Sequence, residues 1–150
     1  LAINWVLLLT VILFGVVKIV SALNEKTVRA AQEDFFPVEA ARFLDESPPP
    51  GRMFNSYNWG GYLMFAAPDV PVYVDGRTDL YDDAFLRAYL DIVLIREGWE
   101  TALDEQNIGF VAIEANSVLA VMLRTMPGKW EEHLFDDERS AIFVRVTPDA

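Results

Sequence analysis

The chain has 150 residues with 53% hydrophobic and 13% aromatic content, which is enough for one domain with a real core and excludes a disordered polypeptide. Its 12 Lys and Arg stand against 23 Asp and Glu, a formal net charge of −11, which argues against a nucleic-acid partner. The absence of cysteine removes disulfides, thiolate catalysis and zinc–thiolate sites together.

The first element is Leu1 to Leu23, LAINWVLLLTVILFGVVKIVSAL, with Lys18 as its one charge. As a helix it extends roughly 35 Å at about 1.5 Å per residue, enough to cross a hydrocarbon layer of about 30 Å. It reads as a membrane span. Trp5 and Lys18 near its two ends suit interfacial anchors, the lysine stem lying in the apolar layer while the ammonium reaches the headgroups. Gly15, with Ser21 and Ala22, allows close approach of a neighbouring helix. A secretory signal peptide is the competing reading, because Val20-Ser21-Ala22 resembles a small-residue cleavage site. Against it stand the missing basic n-region and an apolar run too long for an h-region. A buried soluble helix is the third reading. The chain begins with Leu, which reads as a processed chain or as part of a longer polypeptide.

Because Lys18 is the only charge removed with Leu1 to Leu23, the remainder carries 11 Lys and Arg against 23 Asp and Glu, a formal −12. Such a surface is repelled by anionic lipid, so it stands off the bilayer or touches it through few residues. Lys26 and Arg29 mix with Glu25, Glu33 and Asp34, giving no cytoplasmic bias. The expected placement is the extracytoplasmic, periplasmic side of a bacterial inner membrane.

Residues 24–36 read as a stalk, with Asn24 to Gln32 continuing as helix, and residues 37–150 as one α/β domain. Pro37 suits the first turn of a helix carrying Val38, Ala41 and Leu44, which Ser47-Pro48-Pro49-Pro50-Gly51 ends. Arg52 to Tyr57 reads as a strand, Trp59 to Ala67 as a short helix, and Val70 to Val74 as a strand with Pro71 near its start. Leu80 to Ile95 is the longest helical pattern, followed by a short helix over Trp99 to Gln106. Phe110 to Ile113 suits a buried strand, and Asn116 or Ser117 can cap a helix over Val118 to Met126. Trp130 to Phe135 and Ala141 to Val146 flank Asp136-Asp137-Glu138-Arg139 as an antiparallel hairpin. The alternation predicts a two- or three-layer α/β sandwich, mostly parallel, with an antiparallel C-terminal hairpin.

Two clusters carry the polar chemistry. Asn55-Ser56-Tyr57-Asn58-Trp59-Gly60-Gly61 lies where a strand hands over to a helix, the position at which α/β folds hold ligands. Neither standard phosphate-loop pattern is present. The stretch therefore reads either as a polar ligand site with Trp59 as stacking surface, or as a joint in which Asn58 caps the helix and the glycines allow tight packing. The second cluster, Asp75-Gly76-Arg77-Thr78-Asp79, follows the next expected strand. If the strands are parallel neighbours, Asp75 and Arg77 emerge beside Asn55, Tyr57 and Trp59. The alternative there is an Asp75–Arg77 ion pair fixing the turn, with Asp79 capping the helix from Leu80. A calcium loop fails because glycine directly follows the first aspartate. His133 is the sole histidine and reads as a surface residue of an edge strand. No catalytic set, metal site or cofactor site is expected.

The order FNSYNWGGYL, then VYVDGRTDLY, then an apolar helix and the IGFVAIE strand resembles the C-terminal extracytoplasmic domain of polytopic GT-C-type membrane glycosyltransferases, including the dolichyl-phosphate-mannose and oligosaccharyl transferase relatives. The resemblance covers about Pro37 to Val146, with Asn55 to Tyr81 as its diagnostic part. In oligosaccharyl transferases a Trp-Trp-Asp-Tyr-Gly motif at a comparable joint helps recognise the acceptor peptide. Here Tyr57-Asn58-Trp59-Gly60-Gly61 stands in its place without the motif's aspartate. The resemblance also implies that catalytic carboxylates lie on loops between N-terminal membrane helices, which this chain does not contain.

The expected function is a non-catalytic, membrane-anchored interaction or structural module, either an accessory subunit or the end of a longer polypeptide. Its expected partners are the lipid bilayer and other membrane-protein subunits or preceding membrane helices. The rival expectation, from the enzyme class, is the acceptor- or glycan-recognition part of a polyprenyl-phosphate-dependent glycosyltransferase. In it Trp59, Asp75 and Arg77 line a glycan groove. A periplasmic sensor or scaffold is a third.

Overall fold

The computed structural model describes residues 2–22, 24, 35–135 and 139–146. These fall into two compact units, Leu1–Phe36 and Pro37–Ala150.

The first unit is dominated by α1 (Ala2–Ala22), of which Ile3–Ala22 is long and apolar enough to cross a membrane, with none of it buried. Thr10 returns its hydroxyl to the Val6 carbonyl at 2.9 Å, which hides the only mid-helix hydroxyl donor within the helix itself. Most of the expected stalk, including the helix over Asn24 to Gln32, lies outside the described residues.

The second unit runs α2 (Val38–Glu46), β1 (Arg52–Asn55), α3 (Gly60–Ala66), a 3-10 turn (Thr78–Leu80), α4 (Asp83–Val93), α5 (Trp99–Glu105), β2 (Ile108–Glu114), α6 (Val118–Arg124), β3 (Trp130–Leu134) and β4 (Ser140–Arg145). The four strands form one sheet in the order β1-β2-β4-β3. β1 runs parallel to β2, while β2–β4 and β4–β3 are antiparallel. The sheet is thus mixed rather than mostly parallel, and β3 with β4 supplies the antiparallel C-terminal pair. Residues 136–138 of the expected turn lie outside the described residues.

Strand alternation divides the core. Met53, Phe110, Ala112 and Ile142 pack with Ala40, Ala41 and Leu44 of α2 and Leu63 of α3. Their sequence neighbours Phe54, Val111, Ile113, Ala141 and Phe143 pack with Tyr89, Ile92, Leu103, Leu119 and Leu123 from α4, α5 and α6. Successive strand side chains point to opposite faces, so each face of the sheet carries its own apolar cluster. This double burial explains the near-continuous apolar run of β2, which sits between two strands.

The expected strand Val70 to Val74 does not form. Pro71 offers no N–H to a ladder, and the segment's contacts to β1 run through the side chain of Asn55 instead. Two capping expectations also change. Asp82, not Asp79, caps α4, its carboxylate accepting from the Phe85 N–H at 2.7 Å. The residue ahead of α3 is Trp59, which makes no side-chain cap, and Asn58 is exposed. At α6 Ser117 is the cap, accepting from the Ala120 N–H.

Candidate functional site

The carboxyl ends of the parallel strands β1 and β2 bring Asn55 and Glu114 to one margin of the sheet. Asn55 is fully buried. Its amide nitrogen donates to the carbonyls of Ser56 and Val74, both at 2.8 Å, and its oxygen accepts from the N–H groups of Tyr73 at 2.7 Å and Val74 at 3.3 Å. One primary amide thereby satisfies backbone groups that a neighbouring strand would otherwise serve. It fixes the segment 73–75 beside β1.

That segment delivers Asp75, which is 2% exposed. Arg77 grips it with Nε at 3.0 and 3.2 Å from the two carboxylate oxygens and Nη2 at 2.6 Å, while the Arg77 N–H adds a bond at 2.8 Å. Guanidinium hydrogen bonding outweighs the burial that opposes it and holds the Asp75 carboxyl down at about 2. The phenol oxygen of Tyr81 accepts from the Asp75 N–H at 3.1 Å. The arginine side chain remains 58% exposed and also reaches the Met64 sulfur at 3.7 Å. Its partner is buried and it is not.

On the other side of Asn55, Ser56 donates its hydroxyl to Glu114 at 2.6 Å, and the Tyr57 N–H donates to the Tyr89 phenol oxygen at 2.8 Å. Burial pushes the Tyr89 phenol up to about 12, against the opposing effect of the Tyr57 hydrogen bond. Beneath these groups the rings of Tyr81, Phe85, Tyr73, Phe54 and Tyr89 follow one another at centroid separations of 4.8, 5.1, 4.9 and 5.3 Å. Burial also raises the Tyr73 phenol. Its oxygen lacks a hydrogen bond of good geometry.

Of the residues singled out in the sequence, Asn55, Asp75 and Arg77 meet at this margin, with Tyr57 adjoining it and half-buried. Trp59 does not join them. It is 6% exposed and belongs to the apolar cluster of α2 and α3. Asp79 sits exposed in the 3-10 turn; the Arg77 pKa is raised first by the hydrogen bonds and charge of Asp75, with Asp79 adding a lesser charge effect. Trp5 and Lys18 are exposed on α1, the Lys18 ammonium 5.8 Å from the Phe14 ring centre, and the Gly15 Cα has open space around it.

Tyr81, Tyr89 and Glu114 are the functional candidates that sequence reading missed, and Ser56 was seen only as part of its cluster. Ser56 directly follows β1 and Glu114 ends β2, the two strands pairing with Asn55 opposite Ala112, and that pairing joins positions far apart in the chain. Glu114 accepts the Ser56 hydroxyl hydrogen bond, whereas the imidazole of His133 belongs to β3 at the opposite edge of the sheet, stacked on Phe43 at 4.5 Å. Among the described residues no group of three His, Cys, Asp or Glu is placed to hold a metal ion. What the margin offers outward is one clamped guanidinium beside half-buried tyrosines. No family model, no curated protein and no solved structure matches the chain.

Proposed function

We propose that the chain is a membrane-anchored, non-catalytic interaction module, with its α/β domain on the extracytoplasmic side of a bacterial inner membrane and its helix packed among other membrane segments. The observation that carries this reading is α1, whose apolar stretch from Ile3 to Ala22 is long enough to cross a membrane and has no buried part among the described residues. Leaving the exposed large apolar side chains of this helix, Ile3 through Val20, in water costs about 1.5–3 kcal/mol each, so they demand lipid or other helices. The polar margin supports a structural module, because Asn55, Asp75 and Ser56 satisfy partners within the domain.

Glycan or acceptor recognition of the glycosyltransferase kind is the rival at the same margin. It has less support, because Trp59, the expected sugar-stacking ring, lies in the core. The test is to extract the chain from its native membrane in a mild detergent and measure its mass with crosslinking. Co-purification with other membrane subunits, or with further spans of its own polypeptide, is expected. A chain that is always alone and monomeric overturns the reading.

A further inference from the structure

Phe65 is 84% exposed, the highest value for any large apolar side chain among the described residues, and Leu80 is 62% exposed. They belong to neighbouring pieces of backbone. Gly60 sets α3 directly against Val74 and Asp75, and Met64, next to Phe65, touches the guanidinium of Arg77, whose carbonyl accepts from the Leu80 N–H at 3.0 Å. Phe65 and Leu80 thus lie on the two backbone segments that Met64 and Arg77 bring into contact.

We propose that this patch is an interfacial lipid-docking surface that rests Phe65 and Leu80 in the headgroup region of a zwitterionic bilayer. Large apolar side chains flanking an arginine are what a membrane interface takes up, the hydrocarbon entering about 5–10 Å while the cation stays at phosphate depth. Charge selects the lipid. Asp75 occupies Nε and Nη2 of Arg77, leaving Nη1 for a phosphate oxygen, and the nearby exposed Asp79 suits the ammonium of the same headgroup. A domain of this acidity is repelled by anionic lipid. The proposal rests on α1 lying in the bilayer, since residues 23–36 reach at most about 50 Å when extended and so hold the domain at high effective concentration near lipid.

The absence of cysteine allows single-site labelling of the full chain with an environment-sensitive fluorophore. Ile12→Cys, Phe65→Cys, Leu80→Cys and Val121→Cys are reconstituted into phosphatidylcholine vesicles containing headgroup-level or deep quenchers. Val121 is an exposed position on α6 and serves as the water-facing reference. Deep quenching at 12, together with headgroup-level quenching at 65 and 80 at least about twice that at 121, is expected. Deep quenching at 12 with 65 and 80 no different from 121 overturns the docking surface while leaving the span intact. No deep quenching at 12 overturns the span and the docking surface together. Protection of 65 and 80 from a water-soluble maleimide in native membranes, without quenching in vesicles, assigns the patch to a protein partner and overturns the lipid assignment.

Discussion

Two side chains decide how the polar margin is built, and each makes a separate prediction. Asn55→Ala strands the Tyr73 N–H and the Val74 carbonyl and N–H in a buried place. At about 1–3 kcal/mol for each unsatisfied group, partly relieved by relaxation, it is expected to cost about 3 kcal/mol in urea unfolding followed by tryptophan fluorescence. Asp75 reports through pH. Its folded pKa of about 2 lies below the ordinary 3.8, so the stabilisation from its ion pair is fully present above about pH 4. It is lost as pH falls from about 4 to about 2. Asp75→Asn is expected to lower stability at neutral pH, with the gap to the parent narrowing across that window in an acid titration followed by circular dichroism. The exposed side of the pair, Arg77, keeps the effect modest. The two roles were not equally legible in the sequence. Asn55 looked like a ligand-facing polar residue, because a buried amide replacing a ladder has the same local pattern as one facing a loop. The Asp75–Arg77 pair was legible, since spacing of two places the guanidinium back on the carboxylate of a turn.

Among elements, α3 gives the sharpest contrast. Its two adjacent glycines look equivalent in sequence, yet a Cβ on Gly60 would lie 2.1 Å from the Val74 carbonyl oxygen, whereas one on Gly61 meets nothing within 4 Å. Gly60→Ala is therefore expected to destabilise by about 2–4 kcal/mol, because backbone must shift. Gly61→Ala, in a helical position open to solvent, is expected to stabilise by about 0.5–1 kcal/mol. Thermal unfolding of the two variants checks both signs. Periodicity identified β1, β2, α4 and the β3–β4 hairpin because their apolar spacing is imposed by burial on one or two faces. It failed at Val70 to Val74, where β-branched residues suit an extended chain but the pairing is made by a side chain. It also overextended α4, which starts only after Asp82 supplies a cap.

At the scale of the whole molecule, the apolar helix and the acidic domain place opposite demands on solvent. Removing residues 1–22 is expected to shift the chain from the membrane pellet to the supernatant in cell fractionation, with unchanged near-ultraviolet circular dichroism, because the core clusters of the second unit are built from its own residues. A pelleted or misfolded product would contradict that division. The parallel pairing of β1 with β2 has a further consequence for biogenesis. Arg52–Asn55 has no strand partner until Ile108–Glu114 has been synthesised, a delay on the order of 3–10 s at about 5–20 residues per second. Throughout that interval Met53 and Phe54 lack their sheet neighbour, while the leading apolar helix has already left the ribosome. On the proposed reading of α1 as a membrane span, its insertion precedes closure of the domain, so the unpaired β1 waits for its partner on the far side of that step.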